Sequence, residues 1–310
     1  MEEIKIGIDL GGSKFRIGIV NSNNEIIGET IRVSIDDIIK SEDLVTGITD
    51  SVESILEING LTKKDIVRIG IGSPGPLDSE TGTILETLNL TYLRGFPLGE
   101  KLKESLSLDI VIGNDANCFV LGQQIAGAAV GFHNVIGITL GTGYGFGIII
   151  DGVLVNGSTG TAGEYANSPY LDGVFEDYVS GRGLKKIYKK FSGELKRPFQ
   201  IEDEARSGSK DAIESFQEFG THIGISLSYT VNLLDPEIIV IGGSIANAYD
   251  LFIDSVWKSL RLNIYNIPAE RLTIKPAVDG EQNAVIGAAM LYDSRSKTHS
   301  KSNKQYTIIQ

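Results

Sequence analysis

The sequence predicts an α/β protein built from two related halves, and three observations carry that prediction. A unit of apolar strand, glycine-rich turn and apolar strand occurs twice: IGIDLGGSKFRIGIV at 6–20 and IGITLGTGYGFGIII at 136–150, 130 residues further on (from 6 to 136). The pairs Ile6/Ile136, Gly7/Gly137, Ile8/Ile138, Leu10/Leu140, Gly11/Gly141 and Ile19/Ile149 are identical. Each unit is followed by alternating strand-like and helix-like segments, the pattern of α/β domains. A third glycine turn, Gly242-Gly243-Ser244, follows the apolar run of EIIVIGGSI (237–245). A repeat at this distance is too long for a solenoid unit, so it points to a duplicated domain with one glycine turn in each half.

Each unit reads as a β-hairpin with an exposed backbone turn. IRVSI (31–35) is a third strand. Glu42–Asn59 has helical apolar spacing, with Gly60 as its stop. VRIGIGSPGPLD (67–78) is a strand running into a Gly-Pro loop. Leu98–Leu106 is a helix, DIVIGND (109–115) a strand and Cys118–Ala129 a helix. In the second half 175–191 and 213–234 read as helices and 237–245 as a buried strand. Tyr249–Leu260 is a helix, LTIKPA (272–277) a strand and Ala284–Tyr292 a helix. Residues 294–310 are polar and mildly basic, and read as a mobile tail.

With 28 basic and 40 acidic residues the formal charge is −12. Such a surface repels nucleic acid and anionic membrane, so neither is an expected partner. No apolar run is long enough to span a bilayer. The start of the chain lacks the pattern of a signal peptide, so a cytoplasmic location is expected. The single cysteine, Cys118, excludes an intrachain disulfide, and with three scattered histidines it argues against a zinc site.

Three glycine turns and several carboxylates carry the candidate chemistry. Asp9 ends a strand just before Gly11-Gly12-Ser13-Lys14. Backbone N–H groups of such a turn approach a phosphate unhindered, and a neighbouring carboxylate can hold Mg²⁺ directly or through water. An ordinary hairpin with a capping Asp fits that segment too. Gly141-Thr142-Gly143 suggests a second clamp on the same polyphosphate. Gly242-Gly243-Ser244 suits an adenosine, or simply a tight strand-to-helix connection. Asn114-Asp115-Ala116-Asn117 ends a strand and opens a helix, where ligands of open α/β sheets bind. Asp115 there is a candidate base for a phosphoryl acceptor, although a helix N-cap is the commoner role of such a pair. Gly75 lies in the rigid Ser73–Pro76 loop. Glu164 and Glu176, with Asn residues, offer groups of the kind sugar hydroxyls require.

Taken together these segments resemble the ROK family of sugar kinases and related repressors, over residues 4 to about 292. DLGGSK (9–14) and LGTGYGFGI (140–148) resemble its phosphate loops, GIGSPGPLD (70–78) its sugar-side loop, NDAN (114–117) its catalytic segment and IGGSI (241–245) its nucleotide-proximal turn. The resemblance implies an actin-like, ribonuclease-H-like fold of two lobes with a cleft between them. The smaller lobe would be 1–115, completed by a C-terminal helix at 284–293, and the larger lobe 116–283. It implies ATP and Mg²⁺ as cofactors, Asp115 as general base, and sugar contacts from Gly75, Asn89, Asn114, Asp115, Glu164 and Glu176. It also implies a homodimer. The chain departs from the family in GEYANSPYLDGVFEDYVSG (163–181). Asn167 stands where the family has His, the zinc cysteines are absent and the loop is short, so no zinc is expected. A smaller side chain at 167 leaves room for an N-acyl substituent on the sugar. The expected activity is therefore transfer of the γ-phosphoryl of ATP to the 6-hydroxyl of an N-acylhexosamine such as N-acetylmannosamine, with glucose as the alternative acceptor. A repressor of the same family would carry a DNA-binding segment ahead of the first loop, and only a handful of residues precede Asp9.

Overall fold

A computed structural model describes residues 3–87 and 90–291. Chain order begins with the first hairpin, β1 (Ile4–Leu10) and β2 (Lys14–Val20), and continues with β3 (Ile26–Ser34) and α1 (Ser41–Ile58). Next come β4 (Ile66–Ser73), the two-residue strands β5 (Leu77–Asp78) and β6 (Thr83–Ile84), α2 (Leu98–Leu106), β7 (Ile110–Asn114) and α3 (Asp115–Ala126). The second half opens with β8 (Val135–Leu140), β9 (Tyr144–Ile150) and β10 (Val153–Leu154). A small hairpin follows, β11 (Pro169–Tyr170) with β12 (Gly173–Val174), then α4 (Glu176–Val179), α5 (Gly181–Ser192), α6 (Pro198–Arg206) and α7 (Lys210–Leu234). The chain closes with β13 (Ile238–Gly242), α8 (Tyr249–Arg261), α9 (Asn266–Arg271), β14 (Thr273–Pro276) and α10 (Gly280–Ala289).

The duplication read from the two hairpins is complete at the level of topology. One sheet has the order β3-β2-β1-β4-β7 and the other β10-β9-β8-β13-β14. In each, the first three strands are antiparallel and the last two run parallel to the hairpin's first strand. Gly7 faces Gly18 in one hairpin and Gly137 faces Gly147 in the other. The first turn is one residue longer than the second, so equivalences are offset by 130 before the turn and by 129 after it. The sequence identity Ile19/Ile149 is therefore not structural: Ile19 pairs with Ile6, and it is Ile148 that pairs with Ile136.

Alternation along the strands decides which face is buried where. In β1, Ile6, Ile8 and Leu10 enter a core with Leu44, Ile48, Val52 and Ile55 of α1. Those four sit on one stripe of the helix, and each such side chain contributes about 1.5–3 kcal/mol when fully buried. Gly60 terminates α1 at φ +64°, a left-handed position that suits glycine. The other core joins Ile136, Ile138 and Ile241 to Phe216, Phe219 and Phe252 of α7 and α8. Between the sheets, α10 lies on β1, β2 and β4, α3 lies on β8 and β9, and the two helices cross.

That crossing is closer than side chains permit. A Cβ on Gly122 of α3 would lie 1.7 Å from the Asn283 carbonyl oxygen, and one on Gly287 of α10 1.8 Å from that of Cys118. The contacts are reciprocal, with equivalent residues 165 apart in sequence (122 to 287, 118 to 283). Gly122→Ala must push the helices apart, so despite its gain in helix propensity it is expected to destabilise the protein by about 3 kcal/mol. Urea unfolding of the variant against wild type checks this, and equal midpoints would count against the crossing.

Four segments differ from expectation. The helix read over 175–191 breaks at Ser180, whose extended backbone lets its hydroxyl cap α5 by accepting from Arg182 N–H. The helix read from Cys118 starts at Asp115, because Asn114 caps it. The polar helices α6 and α9 had no counterpart in the sequence reading, because they bury little apolar surface and carry no clear apolar stripe.

Candidate active site

The parallel strands β1, β4 and β7 end side by side, with Asp9 opposite Gly72 and Ser73 opposite Asn114 in the register. In the second sheet β8 and β13 end likewise, at Leu140 and Gly242. These carboxyl ends carry all three glycine turns and the Asn114–Asp115 pair.

Asn114 settles what the pair does locally. Its Oδ1 accepts from Ala116 N–H at 2.9 Å and Asn117 N–H at 3.3 Å, capping α3. Asp115 is thereby released from capping alone, although its Oδ1 also accepts from Ala116 N–H at 2.8 Å. Glu164 and the proline loop converge on the same place: a Cβ on Gly75 would lie 3.0 Å from Asn114 Nδ2 and 3.6 Å from Glu164 Oε1. Gly75 therefore gives a polar ligand room between an amide and a carboxylate.

The second glycine turn is braced from behind. Gly141 N–H donates to the Gly143 carbonyl at 3.1 Å, and the Gly141 carbonyl accepts from Gly181 N–H at 2.8 Å. Glu176 Oε2 accepts from Tyr144 N–H at 3.1 Å, and the other oxygen pairs with Arg182. Around Gly141 the space is open: the nearest atom to a Cβ there would be Ser244 Oγ, 3.9 Å away. Thr142, Gly243 and Ser244 are exposed, so the second and third turns present backbone and a hydroxyl to solvent. In the first turn Gly12 and Ser13 are exposed, while Lys14 pairs with Glu281 at 2.6 Å. Arg16 pairs with the same carboxylate.

The site is electrostatically uneasy. Burial, then the carboxylates of Asp115 and Glu281, raise the Asp9 pKa to about 7 against the opposing pull of Lys14 and Arg16. Burial also raises that of Asp115, offset in part by backbone N–H groups at the start of α3. Glu164 is raised by burial, Asp115 and Glu176. Such a cluster of half-buried carboxylates with high proton affinity is a mark of functional sites. It also fits a divalent cation at Asp9, since a hard cation would relieve the repulsion that the protein's own cations leave uncompensated.

Of the residues expected from sequence, Asn114, Asp115, Gly75 and Glu164 come together. Glu176 sits against the second glycine turn, and Asn167 is exposed at the end of the short turn Glu164–Asn167. Asn89 lies outside the described residues, as do 292–310. Sequence reasoning missed Glu281 and Arg182. An acidic residue in the first turn of α10 was the available signal for Glu281, and nothing local marked Arg182. Among the described residues no group of three or more His, Cys, Asp or Glu could hold a metal, and no helix is long and apolar enough to cross a membrane.

Known proteins resemble this chain over nearly its whole length. An N-acetyl-D-glucosamine kinase of Photobacterium profundum is 29% identical, covering 92% of this chain and 98% of its own length. A glucokinase of Halalkalibacterium halodurans is 28% identical over 96% and 98%. The crystal structure of a ROK family glucokinase from Streptomyces griseus, in complex with glucose and AMPPNP, matches with a TM-score of 0.80 and 29% identity, covering 93% and 98%. The fold is the actin-like one that the motifs implied. With the ROK family model matching residues 5–295, the chain belongs to the ROK family.

Proposed function

We propose that this ATP-dependent sugar kinase phosphorylates the 6-hydroxyl of an N-acylhexosamine. The observation that carries the reading is the convergence of Asn114, Asp115, Glu164 and Gly75 beside two glycine turns from related halves. Asp115 accepts the hydroxyl proton as the oxygen attacks the γ-phosphorus, and the bond to the β–γ bridging oxygen breaks to release ADP. Its raised proton affinity suits that role, since an effective base holds its proton near the working pH. Asn114 and Glu164 hydrogen-bond acceptor hydroxyls. The backbone of Gly11–Ser13 and Gly141–Gly143 positions the phosphates, and positioning with electrostatics is most of what phosphoryl transfer requires. Asp9 would hold Mg²⁺, which supplies positive charge against the phosphate oxygens. The division into a smaller lobe, 1–115 with α10, and a larger lobe, 116–283, belongs to this proposal, as do the homodimer and the absence of zinc.

The N-acyl preference is supported by Asn167, a short, exposed side chain three residues after Glu164 in the same turn, and by the Photobacterium relative, an N-acetyl-D-glucosamine kinase. N-acetylmannosamine and N-acetylglucosamine differ only at C2 and both satisfy it, while the glucokinase relatives favour the rival acceptor. ADP release with Mg-ATP is measured against glucose, mannose, N-acetylglucosamine and N-acetylmannosamine. The expected result is a kcat/KM for one N-acyl sugar at least tenfold above that for glucose, within the range one substituent commands. A preference for glucose would refute the N-acyl reading, and no sugar-dependent turnover would refute the kinase.

A further inference from the structure

The segment joining Glu164 to Glu176 has little structure of its own to hold it. Strands β11 and β12 contribute two residues a side, and the turn residue Leu171 is 71% exposed at φ +51°. A ribbon that small does not keep its shape unaided, and leucine is disfavoured at positive φ. A column of rings holds it instead. Tyr165 stacks on Phe175 with centroids 5.0 Å apart, and Phe175 on Tyr170 at 4.4 Å with 13° between the planes. Beyond Tyr170 stands His222 of α7, its Nδ1 2.9 Å from the Tyr170 hydroxyl, and Tyr178 packs on the same imidazole. Glu218 lies 3.8 Å from His222 Nε2 and is itself tied to Lys190 at 2.6 Å. The Tyr165 hydroxyl donates to the Ser226 carbonyl at 3.0 Å, and Tyr229 meets Phe175 edge-on. His222, Ser226 and Tyr229 are spaced i, i+4, i+7, so one face of α7 carries the whole column.

The inner rings are sequence neighbours of the two site carboxylates: Tyr165 follows Glu164, and Phe175 precedes Glu176. The Tyr165–Phe175 stack therefore sets the spacing between the carboxylate beside Asp115 and the one beside the second glycine turn. We propose that Tyr170 and His222 are positioning residues for acceptor binding, acting from α7 through this column on Glu164 and Glu176. The inference rests on the sugar-kinase reading of the site. It gives the exposed, irregular segment a rigid backing, which binding needs because a displacement of about 1 Å can cost on the order of 10²-fold.

The test is steady-state kinetics of wild type, Tyr170→Leu and Tyr170→Phe with the best acceptor, and a melting curve for each. Leucine keeps apolar bulk but removes the stack and the hydrogen bond to His222, while phenylalanine keeps the stack. The expected result is a rise of at least tenfold in sugar KM for Tyr170→Leu, with the KM for Mg-ATP within twofold, and sugar KM restored to within threefold in Tyr170→Phe. His222→Leu should shift sugar KM in the same direction, which covers the case of a Tyr170→Leu protein that does not fold. Variants that melt earlier yet keep the wild-type sugar KM would make the column merely structural and overturn the inference alone. A wild type without sugar-dependent turnover would overturn the kinase reading together with the inference.

Discussion

Asp115→Asn is expected to lower kcat by about 10²–10⁴, the range a positioned general base supplies, while sugar KM changes by less than about threefold. The amide keeps the shape and one acceptor oxygen but cannot take the hydroxyl proton. The fold should survive, because Asn114 caps α3 through its own Oδ1 and does not depend on Asp115. Removing the charge also relieves the repulsion felt at Asp9 and Glu164, so the variant should melt no lower than wild type. Steady-state kinetics with a melting curve separates these effects. Unchanged turnover would remove Asp115 from the mechanism, and a collapse in stability would show that its role is structural.

Asp9→Asn should separate stability from function in the same way, with a pH signature. The Asp9 carboxyl titrates at about 7 in the folded protein against 3.8 for the free side chain. Below pH 4 both states hold the proton and the group has no effect on stability. Between pH 4 and 7 the unfolded chain releases the proton and the folded one keeps it, so stability falls as pH rises. Above 7 the full penalty stands, on the order of 4 kcal/mol from the rise to about 7. Asp9→Asn removes it. In chelator and without nucleotide, the variant should melt several degrees higher than wild type at pH 8, with the gain fading towards pH 4. The same variant should lose nearly all turnover if Asp9 holds Mg²⁺ as proposed, since the amide that replaces it is a much weaker ligand for a hard cation. Equal melting at pH 8 would show that Asp9 is not held under strain. Retained activity would place the metal elsewhere.

The glycine turns, the strand ends and Asp115 were legible because each is local: an apolar run, a residue without a side chain, a carboxylate at the boundary. The role of Asn114 was half legible. The pair Asn114–Asp115 signalled a cap, but only the backbone geometry shows that the asparagine takes it. What Glu281 pairs with was illegible, since Lys14 and Arg16 lie more than 260 residues away along the chain. The segment 163–181 was read through what it lacks, the family's histidine and cysteines. The aromatic column occupying it could not be seen, because Tyr165, Tyr170 and Phe175 are unremarkable singly and His222 lies on a helix far along the chain.

Sequence alone thus determined the duplication, the two α/β halves and the positions of the glycine turns, since hydrophobic period and glycine placement are properties of neighbouring residues. It misaligned the two hairpins by one position beyond the turn, because sequence identity carries no register and hydrogen bonding does. Tertiary structure alone decided how α3 and α10 cross at Gly122 and Gly287, which carboxylates raise one another's proton affinity, and what backs the segment between Glu164 and Glu176. Each of these is a distance between residues far apart in the chain, set by how two sheets pack about one pair of helices.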